Sequence, residues 1–212
     1  MPYLNKLLLE YKKRKTQIKQ RLNDFKDIHK SNDNNIFSEL CFCLLTPQSK
    51  AIYCDKAVKE LKKSGLLFKG RSNSIRKYLS KVRFPNNKAK FIVEARHVLK
   101  NGSALDIKSK FSLNNIFNIR EWLVKNIKGL GYKEASHFLR NIGLGRNLAI
   151  LDVHILKNLK EFGIIKNVPK SITKNNYIKI ENKVRDFSKT IKIPMEELDL
   201  LFWAKETGYI FK

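Results

Sequence analysis

The chain has 212 residues, enough to bury a real core as one large domain or two small ones. Its 44 Lys and Arg against 19 Asp and Glu leave a net charge of +25, which attracts polyanions and disfavours basic partners. Nucleic acid is the obvious polyanion, although a low-GC coding bias also enriches Lys and Asn. No window approaches the ~20 apolar residues of a membrane span, and residues 1–25 are charged where a signal peptide would be apolar. The expectation is a soluble protein of the cytoplasm or nucleoid with no membrane partner. Three cysteines, Cys41, Cys43 and Cys54, are too few for a four-thiolate zinc site or a cubic iron–sulfur cluster, so no metal is expected.

In chain order, Leu4, Leu7, Leu8, Tyr11, Ile18 and Leu22 give a first amphipathic helix. Residues 36–45 are apolar on most sides and read as a central buried helix, ended at Thr46-Pro47. Ser49 is placed to cap a helix through Leu61, closed by Gly65. A short helix covers Ser74 to Leu79. Val82 to Asn87 is a Pro/Asn loop, and Lys88 to Leu99 returns to helical spacing. Further helices are predicted over 112–127, 132–141, 153–162, 175–190 and 195–207, with no strands and no repeats. The fold class is all-α. The whole chain reads as one unit of two helical subdomains, residues 1–30 with 150–212 and residues 31–149, with the active site in the cleft between them. A helical hairpin spans residues 116–142.

The hairpin carries the densest information. Gly129 and Gly131 flank Leu130 between two amphipathic helices, so the chain turns within three residues. The second helix opens with free N–H groups that suit a DNA phosphate, with Lys128 beside them. The carbonyls of the turn can also hold a monovalent cation. An ordinary helical corner uses glycine in the same way. Lys133 follows two residues on, and Asp152 ends the apolar run Leu148-Ala149-Ile150-Leu151.

The block from Lys128 to Gly143, followed by Leu148 to Leu156, resembles the helix-hairpin-helix signature of the archaeal-type (type 2) 8-oxoguanine DNA glycosylase/AP lyases. Glu39 to Gln48, Val82 to Arg96, and Asp199 to Trp203 with a final Lys212 resemble the other segments of that family in the same order. The link over residues 143–147 is about one residue longer than the family's usual one.

The resemblance implies a base-excision repair enzyme acting as a monomer on double-stranded DNA that contains 8-oxoguanine, with no required cofactor. It implies that Lys133 attacks the anomeric carbon, expels the base as a Schiff base forms, and nicks the strand by β-elimination. This needs an uncharged amine, whereas an ordinary lysine is protonated at neutral pH. Asp152 is implied to activate that lysine or to stabilise the cationic sugar, and it can also cap the following helix. Lys212 is implied to distinguish 8-oxoguanine from guanine through either its α-carboxylate or its ammonium. A flipped base needs flat walls. Trp203 is a candidate wall or a core aromatic, Phe84 a candidate plug of the gap in the duplex or a core anchor, and Arg83 a contact to the orphaned base or a phosphate. His137 and His154 read first as core histidines. The alternatives are a non-catalytic helix-hairpin-helix DNA-binding protein, a glycosylase for another oxidised base, and an RNA-binding accessory protein.

Overall fold

The computed structural model describes residues 2–111 and 115–212, for residues 2 and 3 the backbone alone. Helices dominate: α1 (Pro2–Lys30), α2 (Asp33–Leu45), α3 (Ala51–Lys63), α4 (Leu66–Lys69), α5 (Ser72–Arg76), α6 (Pro85–Val98), α7 (Ile116–Asn126), α8 (Tyr132–Asn141), α9 (Val153–Glu161), α10 (Lys174–Ile191) and α11 (Met195–Thr207). The start of α7 expected at Ser112 lies outside the described residues. Each residue of α2 from Ile36 to Leu45 is buried, so this helix is the centre of its half of the molecule. Asn32 caps it, its side chain accepting from the Asn35 N–H at 3.1 Å.

The structure corrects the sequence reading in several places. The short helix expected over Ser74 to Leu79 is α5, Ser72–Arg76, followed by turns, and α4 was not expected at all; four residues are too few to show a period. A small antiparallel pair, β1 (Lys100–Asn101) with β2 (Ala104–Leu105), follows α6 where no strand was expected; two residues per strand leave no alternating pattern to detect. Helix α6 begins at Pro85 rather than Lys88, because proline at the first helical position gives up an N–H that has no partner there anyway. Ser49 does not cap α3; Lys50 occupies that position without a side-chain bond. The Ser49 hydroxyl instead accepts from the Arg83 N–H and the Lys88 ammonium, both at 3.0 Å.

Apolar burial falls into two clusters. One runs from Ile36 to Leu148, and the other joins Leu7–Phe25 of α1 to residues 149–202. The chain changes cluster at Leu148-Ala149, in an extended segment without helix of its own. Helix α10 supplies its hydrogen bonds: Glu181 accepts from the Ala149 N–H at 2.8 Å and the Tyr177 hydroxyl donates to the Ala149 carbonyl at 2.6 Å. Glu181 is also gripped by both terminal nitrogens of Arg120 from α7, at 2.7 and 2.9 Å, with both side chains 2% exposed. Arg120 donates to the Ser136 hydroxyl on α8 as well. One buried ion pair therefore fixes the hairpin against the segment that leads to Asp152.

Candidate active site

The turn between α7 and α8 depends on Gly129. Its φ of +93° is open to glycine, and a Cβ there would meet the Phe91 ring at 2.5 Å. Glu134 closes the turn from the other side, accepting from the Gly131 N–H at 3.2 Å; this is the carboxylate half of a capping box, since glycine has no side chain to supply the other half. Its second oxygen pairs with the Lys133 ammonium at 2.9 Å. The direct ionic partner of Lys133 is thus its neighbour Glu134. Lys128, on the approach to the turn, pairs with Glu94 at 3.7 Å.

Lys133, His137 and Arg140 share one face of α8 by the i, i+4, i+7 rule. Burial pushes the His137 imidazole well below its usual value, and the Arg140 and Lys133 charges push the same way. Arg140 is 4% exposed, lies 5.0 Å from the centroid of the Phe25 ring and pairs with Asp199 of α11 at 3.3 Å. Burial raises the Asp199 carboxyl to about 6; Arg140 opposes the rise and the charge of Asp152 adds to it. Asp152 acts electrostatically on Arg140 too. It caps α9, with its Oδ1 accepting from the Ile155 N–H at 2.8 Å. The charge of Asp152 is thus felt at Arg140, two turns along the α8 face from Lys133.

Lys88 of α6 was read only as the start of a helix. It is 3% exposed, and its ammonium donates to the Leu45 carbonyl at 2.7 Å, the Pro47 carbonyl at 2.7 Å and Ser49 at 3.0 Å. Burial brings it down to about 8, and the charges of Lys133 and Arg83 also lower it. Two left-handed non-glycine residues, Gln48 at φ +55° and Phe84 at φ +58°, flank this knot. Backbone strain of that kind costs energy and concentrates at functional sites. Phe84 is 51% exposed with the Arg83 guanidinium 5.4 Å from its ring centroid.

Trp203 lies half-buried on α11, edge-on to His154 at 5.2 Å between centroids. Lys212 reaches back to α2 and α3, where its ammonium meets Glu39 and Asp55, each at 2.8 Å. The sequence reading missed Glu134, Lys88, Arg140, Asp199 and the Glu39–Asp55 pair as site residues. Two of these carried a usable signal. A glutamate at the third position of a helix suggests a capping box, and a carboxylate inside the apolar run of α2 calls for a buried partner.

The family model for 8-oxoguanine DNA glycosylase matches residues 18–193. The 8-oxoguanine DNA glycosylase/AP lyase of Fusobacterium nucleatum is 47% identical over 212 residues, covering 99% of this chain and 98% of that protein. The enzyme of the same name from Korarchaeum cryptofilum is 40% identical over 92% of this chain and 90% of its own length. The Methanocaldococcus jannaschii 8-oxoguanine glycosylase/lyase, solved in complex with a 15mer DNA containing 8-oxoguanine, superposes with a TM-score of 0.90 at 34% identity, with 100% of both chains covered.

Proposed function

The chain belongs to the 8-oxoguanine DNA glycosylase/AP lyase family, and from that premise we propose how its residues divide the work. It is a bifunctional base-excision repair enzyme that removes 8-oxoguanine from DNA and cleaves the abasic strand. Neither a non-catalytic binding module nor a glycosylase for another oxidised base is favoured by its relatives.

Lys133 is the nucleophile. Its amine attacks C1′ of the flipped nucleotide, the C1′–N9 bond breaks, and the base leaves with that electron pair and a proton. The resulting imine acidifies C2′–H, and β-elimination expels the 3′ phosphate. Asp152 takes up the amine's proton or stabilises the cationic sugar, with one oxygen holding the α9 cap and the other left for this work. No cofactor enters these steps; a monovalent cation in the hairpin turn would serve DNA binding only. The N–H groups in the first turn of α8, presented by the Gly129–Gly131 turn, and Lys128 hold a backbone phosphate. Exposed Phe84, with Arg83 stacked on it, fills the space left by the extruded nucleotide, Trp203 lines the base pocket, and Lys212 reads the base. The protein works as a monomer.

The observation that carries this reading is the α8 face shared by Lys133 and Arg140, with the charge of Asp152 acting on Arg140. Borohydride trapping tests it. The protein should form a covalent adduct with duplex DNA containing 8-oxoguanine, and Lys133→Gln should form none. An adduct that survives in Lys133→Gln would move the nucleophile elsewhere.

A further inference from the structure

Helix α11 ends at Gly208, in the left-handed conformation with φ +88°. Ile210 still packs on the core cluster to which α11 belongs, and Phe211 docks on the other one. Phe211 packs edge-on against Phe42 of α2 at 6.4 Å. The Lys212 ammonium lies 4.8 Å from the centroid of the Phe42 ring and 2.8 Å from both Glu39 Oε1 and Asp55 Oδ1.

The receiving carboxylates are themselves held. The second oxygen of Glu39 accepts from Asn141 at 3.2 Å, and the second oxygen of Asp55 pairs with Lys59 at 2.7 Å. Each acid is 7% exposed. Burial works to raise the Asp55 carboxyl, but Lys212 and Lys59 outweigh it and keep it below its ordinary value. Two carboxylates converging at this depth repel each other unless a cation stands between them. An ammonium has three donors and no acceptor, so two acids and an aromatic face define its position closely.

The Lys212 ammonium is thus engaged inside the protein. What remains of Lys212 for the site is its main chain, which follows Phe211 on the Phe42 ring; that ring stands edge-on to His137 at 5.7 Å, one turn along α8 from Lys133. We propose that Glu39 and Asp55 form a socket that sets base specificity: they hold the Lys212 ammonium so that its main chain sits where the base is read. Neither acid touches the base; both are positioning residues. The proposal rests on the base-reading role of Lys212 given above.

The test uses Glu39→Gln, Asp55→Asn, their double variant and Lys212→Met, each checked by thermal melting. Single-turnover excision of 8-oxoguanine and of guanine, both opposite cytosine, gives a discrimination ratio. Trapping on DNA with a ready-made abasic site reports the lysine chemistry without base reading. The double variant should lose about ten- to a hundredfold in the ratio, the range expected for lost hydrogen bonds to a charged group. Its abasic-site trapping rate should stay within about twofold, because no base is read there. Lys212→Met should cause a similar loss of discrimination, and adding it to the double variant should cost nothing further. If the double variant melts early, Asp55→Asn alone carries the same comparison. An unchanged ratio, a trapping rate that falls in parallel, or losses that simply add would each overturn the socket. A wild-type protein that forms no adduct with 8-oxoguanine DNA would overturn the enzymatic function itself, and the socket with it.

Discussion

The two ends of the site are built in opposite ways. Around Lys133 the parts are neighbours in the chain: the glycine turn, the Glu134 cap and the α8 face lie within a dozen residues. Around Lys212 they are strangers: its two carboxylate partners stand 173 and 157 residues away. A local site can be written as a contiguous motif. A distant one exists only once both cores have formed, so its residues look like stray charges in helices. The proposed division gives the chemistry to the first end and the choice of base to the second, and this separation can be tested.

The largest expected effect falls at the local end. Lys133→Gln should abolish trapping and slow excision by more than about a thousandfold, since no nucleophile replaces it. The same variant should still bind 8-oxoguanine DNA in preference to undamaged duplex in a competition assay. Loss of that preference would show that the two ends are one. Asp152→Asn keeps the α9 cap but removes the charge, and should slow single-turnover excision by about a hundredfold or more. An effect confined to melting temperature would reduce Asp152 to a capping residue.

Gly129→Ala should be felt in stability and in DNA affinity together. The left-handed backbone alone costs an alanine about 1–2 kcal/mol, and the added Cβ would also have to displace Phe91. Melting and fluorescence anisotropy would register both losses, while abasic-site trapping at saturating DNA should change less. The smallest effect concerns Lys88. An unfolded lysine holds its proton to about pH 10.4, whereas folded Lys88 is brought down to about 8 by burial. Between those values the folded state binds fewer protons than the unfolded one, so this residue makes stability rise with pH across that window. Lys88→Met should flatten that rise in urea melts taken from pH 8 to pH 10; an unaltered slope would assign it to another group.

The hairpin and the helix periods of α8 and α11 were legible because each rests on local spacing, whereas the roles proposed for Lys133 and Asp152 come from the family resemblance of that stretch. Asp152 as a cap could be read from one residue before a helix, and the structure has that bond. The knot at Lys88 was not legible, because its acceptors are two main-chain carbonyls more than 40 residues away, and carbonyls leave no trace in composition. Ser49 was misread for a related reason. A serine before a helix suits a cap, but here the ammonium of Lys88 and the Arg83 N–H claim its hydroxyl. Arg120 and Glu181 were lost among many exposed charges, although their buried pair orders the segment before Asp152.

The three cysteines have a consequence of their own. All are fully buried, and burial pushes Cys41 and Cys43 well above the usual thiol value and Cys54 to about 11. The thiolate is the form that reacts with peroxide, and none of these side chains supplies it at neutral pH. An enzyme whose substrate accumulates under oxidant attack thus carries no sulfhydryl open to the same attack.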